Sequence, residues 1–120
     1  RTKLACGEDF VQLSGEDGTS LGYLAQGGVG CISVTANVAP KLCSMMQEAW
    51  MQNAVQTAQS INEKLMPLHE AMFCEPSPAP AKFGASLLGK ATPEVRLPLV
   101  EATPAAQDRV RNAMASAGLL

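Results

Sequence analysis

The stretch Gly27-Gly28-Val29-Gly30-Cys31-Ile32-Ser33-Val34-Thr35-Ala36-Asn37 constrains this chain most. Glycines lead into a short apolar run, which ends on a polar rim. The length and β-branched content of that run predict a strand over Gly30–Val34. An earlier apolar run, Phe10-Val11-Gln12-Leu13-Ser14, predicts a buried strand of its own. Between the two, Asp17, Thr19 and Ser20 offer helix caps. Leu21, Tyr23, Leu24 and Ala25 then make a short amphipathic helix that Gly27-Gly28 closes. Strand, helix and strand in so short a span form a βαβ unit, so the strands are expected to be parallel with a right-handed crossover. Two parallel strands leave edges and a face uncovered, and parallel sheets are stable only when these are covered. Gly30–Val34 is therefore expected to be the last strand of a sheet whose earlier strands lie outside this chain.

Everything after Asn37 reads as helix. Pro40 suits a first helical turn, and Leu42, Cys43, Met45, Met46, Ala49 and Trp50 carry an apolar face. A longer helix is expected to open at Asn53. Its stripe, Ala54, Ala58, Ile61, Leu65, Leu68 and Met72, alternates steps of four and three, and Pro67 should interrupt and kink it. Glu75-Pro76-Ser77-Pro78-Ala79-Pro80 has prolines at alternate positions and is expected to be an extended, stiff strut. Ala81–Leu88 predicts a short helix ended by Gly89, and Val95–Leu99 an extended segment packed on apolar surface. Thr103-Pro104 is a cap followed by a first-turn proline. The last helix then runs to about Ala117, with Val110, Ala113, Met114 and Ala117 inward and Gly118 as its stop.

Composition excludes several function classes. The 120 residues have the size of one domain, and 47% hydrophobic content suffices for a core. A net charge of −2, with no basic run, gives no case for a nucleic-acid or phosphoinositide partner. No apolar stretch has the ~18 residues of a membrane span, and no signal-peptide pattern opens the chain. Cys6, Cys31, Cys43 and Cys74 form no Cys-x-x-Cys pair and His69 is the single histidine, so no metal site is expected. The thiols read as the reduced, mostly buried cysteines of a cytosolic protein. Arg1-Thr2-Lys3-Leu4-Ala5-Cys6 resembles the tail of a helix, with Gly7 at its C′ position, so the chain is expected to be one piece of a larger protein.

The candidate site lies at the carboxyl ends of the two strands, at Gly15-Glu16-Asp17 and Ser33-Val34-Thr35-Ala36-Asn37. Parallel α/β architectures bind ligands outside such ends, where glycine lets a ligand approach the backbone. The same residues also read as turn and cap chemistry, above all Asp17 and Asn37. Glu16 and Asp17, as chain neighbours, point apart and do not suggest a catalytic dyad. A lone helical histidine such as His69 reads as a packing or surface residue. Gly27-Gly28-Val29-Gly30 precedes a strand and lacks the following Lys-Ser/Thr, which excludes a phosphate-cradling loop. Lys41, Lys64, Lys82 and Lys90 sit in helical or polar contexts, not in an apolar strand that would prepare an imine-forming amine.

Together, Leu13-Ser14-Gly15-Glu16-Asp17, the stretch Gly27 to Asn37, Leu65-Met66-Pro67-Leu68-His69, Glu75 to Lys82, Val95-Arg96-Leu97-Pro98-Leu99 and Ala117-Gly118-Leu119-Leu120 resemble, in order and spacing, the C-terminal part of the 4-hydroxy-tetrahydrodipicolinate (dihydrodipicolinate) synthase family. The resemblance implies an α/β fold: the C-terminal fragment of a (β/α)8 TIM barrel, with its last two strands, plus a three-helix C-terminal extension. It implies that residues 1–52 hold the last two βα units and 53–120 the extension. The implied activity is a class I aldolase-type condensation of pyruvate with aspartate semialdehyde in lysine (diaminopimelate) biosynthesis, through a Schiff base on a strand lysine. That lysine and the catalytic tyrosine would lie upstream of Arg1. Tyr23 is not that tyrosine, so the chain alone is expected to be inactive. Ile32 matches the family residue whose backbone lies against the bound keto acid, and Gly15 the glycine whose carbonyl faces the same pocket. Ser77 stands near the pocket mouth, where the family often has Asn. The resemblance implies no cofactor, a cytoplasmic homo-oligomer (a tetramer) for the intact protein, and no nucleic-acid or membrane partner. A sibling pyruvate-dependent aldolase or lyase of the same barrel superfamily is the nearest alternative. A non-catalytic helical interaction domain built on the Ala54–Met72 stripe is the alternative from another class.

Overall fold

A computed structural model describes all 120 residues. The elements run α1 (Thr2–Cys6), β1 (Leu13–Ser14), α2 (Ser20–Ala25), β2 (Gly30–Cys31), a 3₁₀ turn (Thr35–Asn37), α3 (Pro40–Met51), α4 (Val55–Met72), α5 (Ala79–Leu87) and α6 (Pro104–Ser116). β1 and β2 pair in parallel, with Leu13 opposite Gly30 and Ser14 opposite Cys31. The predicted βαβ unit is present, with α2 as its crossover. Gly27, at φ 94, makes the turn out of α2 that a side chain would resist.

The strands are shorter and more open than expected. Only two residues of each run are ladder-paired, although Ile32 N–H extends the pairing to the Ser14 carbonyl at 2.8 Å. Phe10, Val11, Leu13, Val29 and Ile32 are all exposed, so the first run is not a buried strand. A ladder with one partner and no layer over that face has nothing to bury these side chains against.

The helices supply the core. One cluster of 17 buried residues joins Leu24, Val38, Ala39 and Met46 to Leu65, Leu68, Met72, Phe83, Val110 and Met114, without a seam near residue 52. The predicted α4 stripe holds: Ala58, Leu65, Leu68 and Met72 have no exposed surface, and Ile61 is half-buried. Two details of α4 differ from expectation. It opens at Val55, because Asn53 takes a left-handed turn at φ 59, which asparagine tolerates. It also runs unbroken through Pro67, which lies on the exposed face, where the carbonyl it deprives of a partner meets water.

Glu75–Pro80 is not an extended strut. Glu75 to Pro78 form a bend and turn, with a cis Ser77–Pro78 peptide, and Ala79 and Pro80 already belong to the first turn of α5. A first-turn proline needs no donor, so the motif starts a helix. Val95 packs against the core as predicted, whereas Leu97, two residues on, points out. Thr103 caps α6, its hydroxyl oxygen accepting from Ala106 N–H at 3.3 Å. The carboxylate of Glu75 fastens this cap by accepting from Thr103 N–H at 3.0 Å and Thr103 O–H at 2.5 Å. At Gly84, α5 crosses so closely that an added Cβ would stand 2.9 Å from Val38 Cγ1 and 3.3 Å from Met114 Sδ.

Candidate functional site at the strand ends

The two strands point their carboxyl ends at the same region, and each end is held by a carboxylate. Glu16 stays at the start of α2, where its side chain accepts from Gly18 N–H (2.9 Å), Thr19 N–H (2.8 Å) and Thr19 O–H (2.6 Å). These donors, the Thr19 hydroxyl foremost, hold its carboxyl below the usual range. Asp17 turns the other way. It is buried, and its Oδ2 accepts from Val34 N–H at 2.8 Å and Thr35 N–H at 3.1 Å. Asp17 is thus a cap, but for the polar turn after β2 and not for the helix that follows it in sequence. Glu16 does the local capping instead. The two carboxylates point apart, as chain neighbours should.

Asn37 does not cap α3 either, since its Nδ2 donates back to the Val34 carbonyl at 2.9 Å. Ser33 Oγ accepts from Ala36 N–H at 2.8 Å and closes the 3₁₀ turn. Thr35 is fully buried, and its Oγ1 lies 2.7 Å from His69 Nδ1 on α4. His69 is buried too, which pushes its pKa down and keeps the ring neutral near pH 7. It is therefore an interior hydrogen-bonding residue, where its sequence position suggested packing or surface.

Gly15 and Ile32 follow their strands directly and stand at adjacent strand ends. No protein donor meets either carbonyl, and a Cβ at Gly15 would have nothing within 4 Å. Ser77 is exposed and lines a cleft of about 240 Å3 with Val34, Asn37 and Lys82. The fold thus brings Ser77 to the polar rim after β2, but Gly15 and Ile32 do not line that cleft. Lys82 is committed to the Glu94 carbonyl. Cys31 and Cys43 line a second cleft with Asp17 and His69. Burial raises both thiols, Cys43 to about 11, so neither is a ready nucleophile. No three His, Cys, Asp or Glu side chains converge as metal ligands, and no helix is long and apolar enough to cross a membrane.

Sequence reasoning missed the Asp17 clamp and the Thr35–His69 bond. Asp17 reaches its partners 17 and 18 positions away, and Thr35 meets His69 across 34. Only the prediction that β1 and β2 are parallel neighbours could have placed Asp17 beside Val34.

The Dihydrodipicolinate synthetase family matches residues 1–117. Over 120 residues the chain is 55% identical to the 4-hydroxy-tetrahydrodipicolinate synthase of Rhodospirillum centenum, covering 100% of this chain and 41% of that protein. Over 114 residues it is 59% identical to the synthase of Parvibaculum lavamentivorans, covering 95% and 39%. Among solved structures, dihydrodipicolinate synthase from Thermotoga maritima superposes with a TM-score of 0.94 at 37% identity, covering 99% of this chain and 40% of that one. The enzyme from Aquifex aeolicus gives 0.89 at 34% identity, covering 94% and 39%. The chain spans about two fifths of the length of the curated relatives it matches.

Proposed function

This chain belongs to the dihydrodipicolinate synthetase family, and on that premise we propose that it forms the last two strands and the C-terminal helices of a (β/α)8 barrel synthase. Residues 1–52 are then the last two βα units, and 53–120 a three-helix extension that shares their core. The whole enzyme, a homotetramer of the cytoplasm, condenses pyruvate with aspartate semialdehyde in lysine (diaminopimelate) biosynthesis. A lysine outside this chain forms the imine with pyruvate.

The observation that carries the role of this chain is the pair of unengaged carbonyls at Gly15 and Ile32, at adjacent ends of parallel strands. Ligands of barrel enzymes bind at that end. Backbone carbonyls set there accept from a polar ligand, and the lack of a side chain at Gly15 lets it come close. The part of this chain is to bind and orient: the two carbonyls wall the site, Asp17 fixes their strand ends, and Ser77 stands at its mouth. None of Lys41, Lys64, Lys82 or Lys90 lies on either strand. This supports a synthase whose nucleophile comes from elsewhere.

Borohydride reduction of the whole protein with pyruvate, followed by peptide mass spectrometry, tests this. One pyruvyl adduct is expected on a lysine outside residues 1–120, and none when the isolated chain is treated alone. An adduct on Lys41, Lys64, Lys82 or Lys90, or on Lys3, would overturn the assignment. Turnover with another aldehyde, and none with aspartate semialdehyde, would move it to a sibling lyase.

A further inference from the structure

The Gly15 and Ile32 carbonyls can wall a site only if their directions are fixed. No protein donor meets the Gly15 carbonyl, and a glycine has more backbone freedom than any other residue. The two residues after it are anchored by their side chains, Glu16 through Gly18 and Thr19, Asp17 through Val34 and Thr35. Gly15 has no side chain to anchor, so its neighbours must hold it.

Ser14, the last residue of β1, reaches across it. Ser14 is buried, and its hydroxyl bonds twice to Glu16, donating to the carbonyl at 2.9 Å and accepting from the N–H at 3.1 Å. The second bond is the decisive one. The Glu16 N–H and the Gly15 carbonyl belong to one peptide unit, which is planar and trans, so the two groups point in opposite directions. Drawing that N–H in to the buried Ser14 hydroxyl therefore turns the Gly15 carbonyl outward, where a Cβ on Gly15 would meet nothing within 4 Å. The main chain of Ser14 works on the other strand. Its carbonyl accepts from Ile32 N–H at 2.8 Å, so the residue that directs Gly15 also holds Ile32 beside it.

We propose that Ser14 is a positioning residue for the keto-acid site. Its hydroxyl sets the direction of the Gly15 carbonyl, and its main-chain carbonyl sets that group against Ile32. The proposal rests on the synthase reading above and adds the side chain that aims one of the two accepting carbonyls. Ser14 itself touches no reacting atom. A wall of this kind binds the ligand alike before and during reaction, so a misdirected carbonyl weakens binding more than chemistry.

Two measurements on the whole protein test it. The first is kinetic. Ser14→Ala should raise the KM for pyruvate about fivefold with kcat within about twofold, and Ser14→Thr, which keeps the hydroxyl, should restore most of it. Thr103→Ala, which loses a cap on α6 instead, should leave KM unchanged. Equal KM in the Ala, Thr and unaltered proteins would overturn the positioning role, as would a rise of the same size in Thr103→Ala. The second is amide exchange. In Ser14→Ala the Glu16 N–H should exchange about tenfold faster, while Ile32 N–H, bonded to the main chain of Ser14, changes little. An unchanged Glu16 would overturn the hydroxyl as the anchor of that peptide. Failure of the unaltered protein to turn over pyruvate sinks the synthase reading and the catalytic role with it, while exchange at Glu16 still decides whether Ser14 aims the Gly15 carbonyl.

Discussion

The two-stranded edge and the helical layer are built from the same residue types and treat them in opposite ways. Val11, Val29 and Ile32 are more than half exposed, whereas Val110, Leu65 and Leu68 show no exposed surface. The apolar runs are equally plain in both. The difference is the number of elements that meet. α4 packs against α3 and α6 at once, so its stripe is enclosed. Within this chain the strands pair only with each other. Hydrophobic pattern sets which side of an element is offered for burial, and the neighbours decide whether it is buried.

The sharpest test of that contrast compares equal truncations. Leu68→Ala on α4 should destabilise the 120-residue chain by about 3–4 kcal/mol, while Val11→Ala, whose side chain is exposed in that chain, should stay within about 0.5 kcal/mol there. Urea unfolding midpoints of the two variants measure this, and similar losses would erase the contrast. Asp17→Ala comes next. It orphans two N–H groups and should cost about 2 kcal/mol. Amide exchange should speed first at Val34 and Thr35, the two N–H groups that lose their acceptor. Thr103→Ala, inside the helical layer, should cost about 1 kcal/mol through the lost cap, read from the thermal midpoint. Smallest is a pH effect. The folded pKa of His69 lies below its unfolded value of about 6.5. The unfolded chain therefore takes up the proton first on acidification, and stability falls as pH drops below about 6.5, down to the folded pKa. Denaturation midpoints followed across that window should slope in the unaltered protein and flatten in His69→Gln.

The helical layer was largely legible from sequence, because its signals are local. The Ala58–Met72 stripe, Thr103-Pro104 and the Gly118 stop each lie within a turn or two of what they specify. The strand side was legible in type and order but not in extent, since strand length depends on partners that periodicity does not name. Glu75–Pro80 misled because alternate prolines suit either an extended run or a turn entering a helix, and only the docking of α5 on α6 selects the turn. The strand ends at Gly15–Asp17 and Ser33–Asn37 were readable as a place for a site from the parallel-strand pattern, with roles for particular residues added by resemblance. Gly15, Ile32 and Ser77 came from a resemblance, whereas the Asp17 clamp and the Thr35–His69 pair needed the fold, because no local motif marks a bond across 34 residues.

Gly84 carries a consequence for how this sequence can vary. An added methyl would press on Val38, Met114 and Val110 together, at 2.9, 3.3 and 3.4 Å. Mid-helix glycine costs about 1 kcal/mol against alanine, a penalty the chain accepts for this close crossing. The four positions therefore form one unit of sequence drift. An alanine at 84 calls for smaller neighbours, and a larger residue at 38 or 110 is tolerated only while 84 stays bare. The effect of a substitution at any one of them will depend on which residues already occupy the other three.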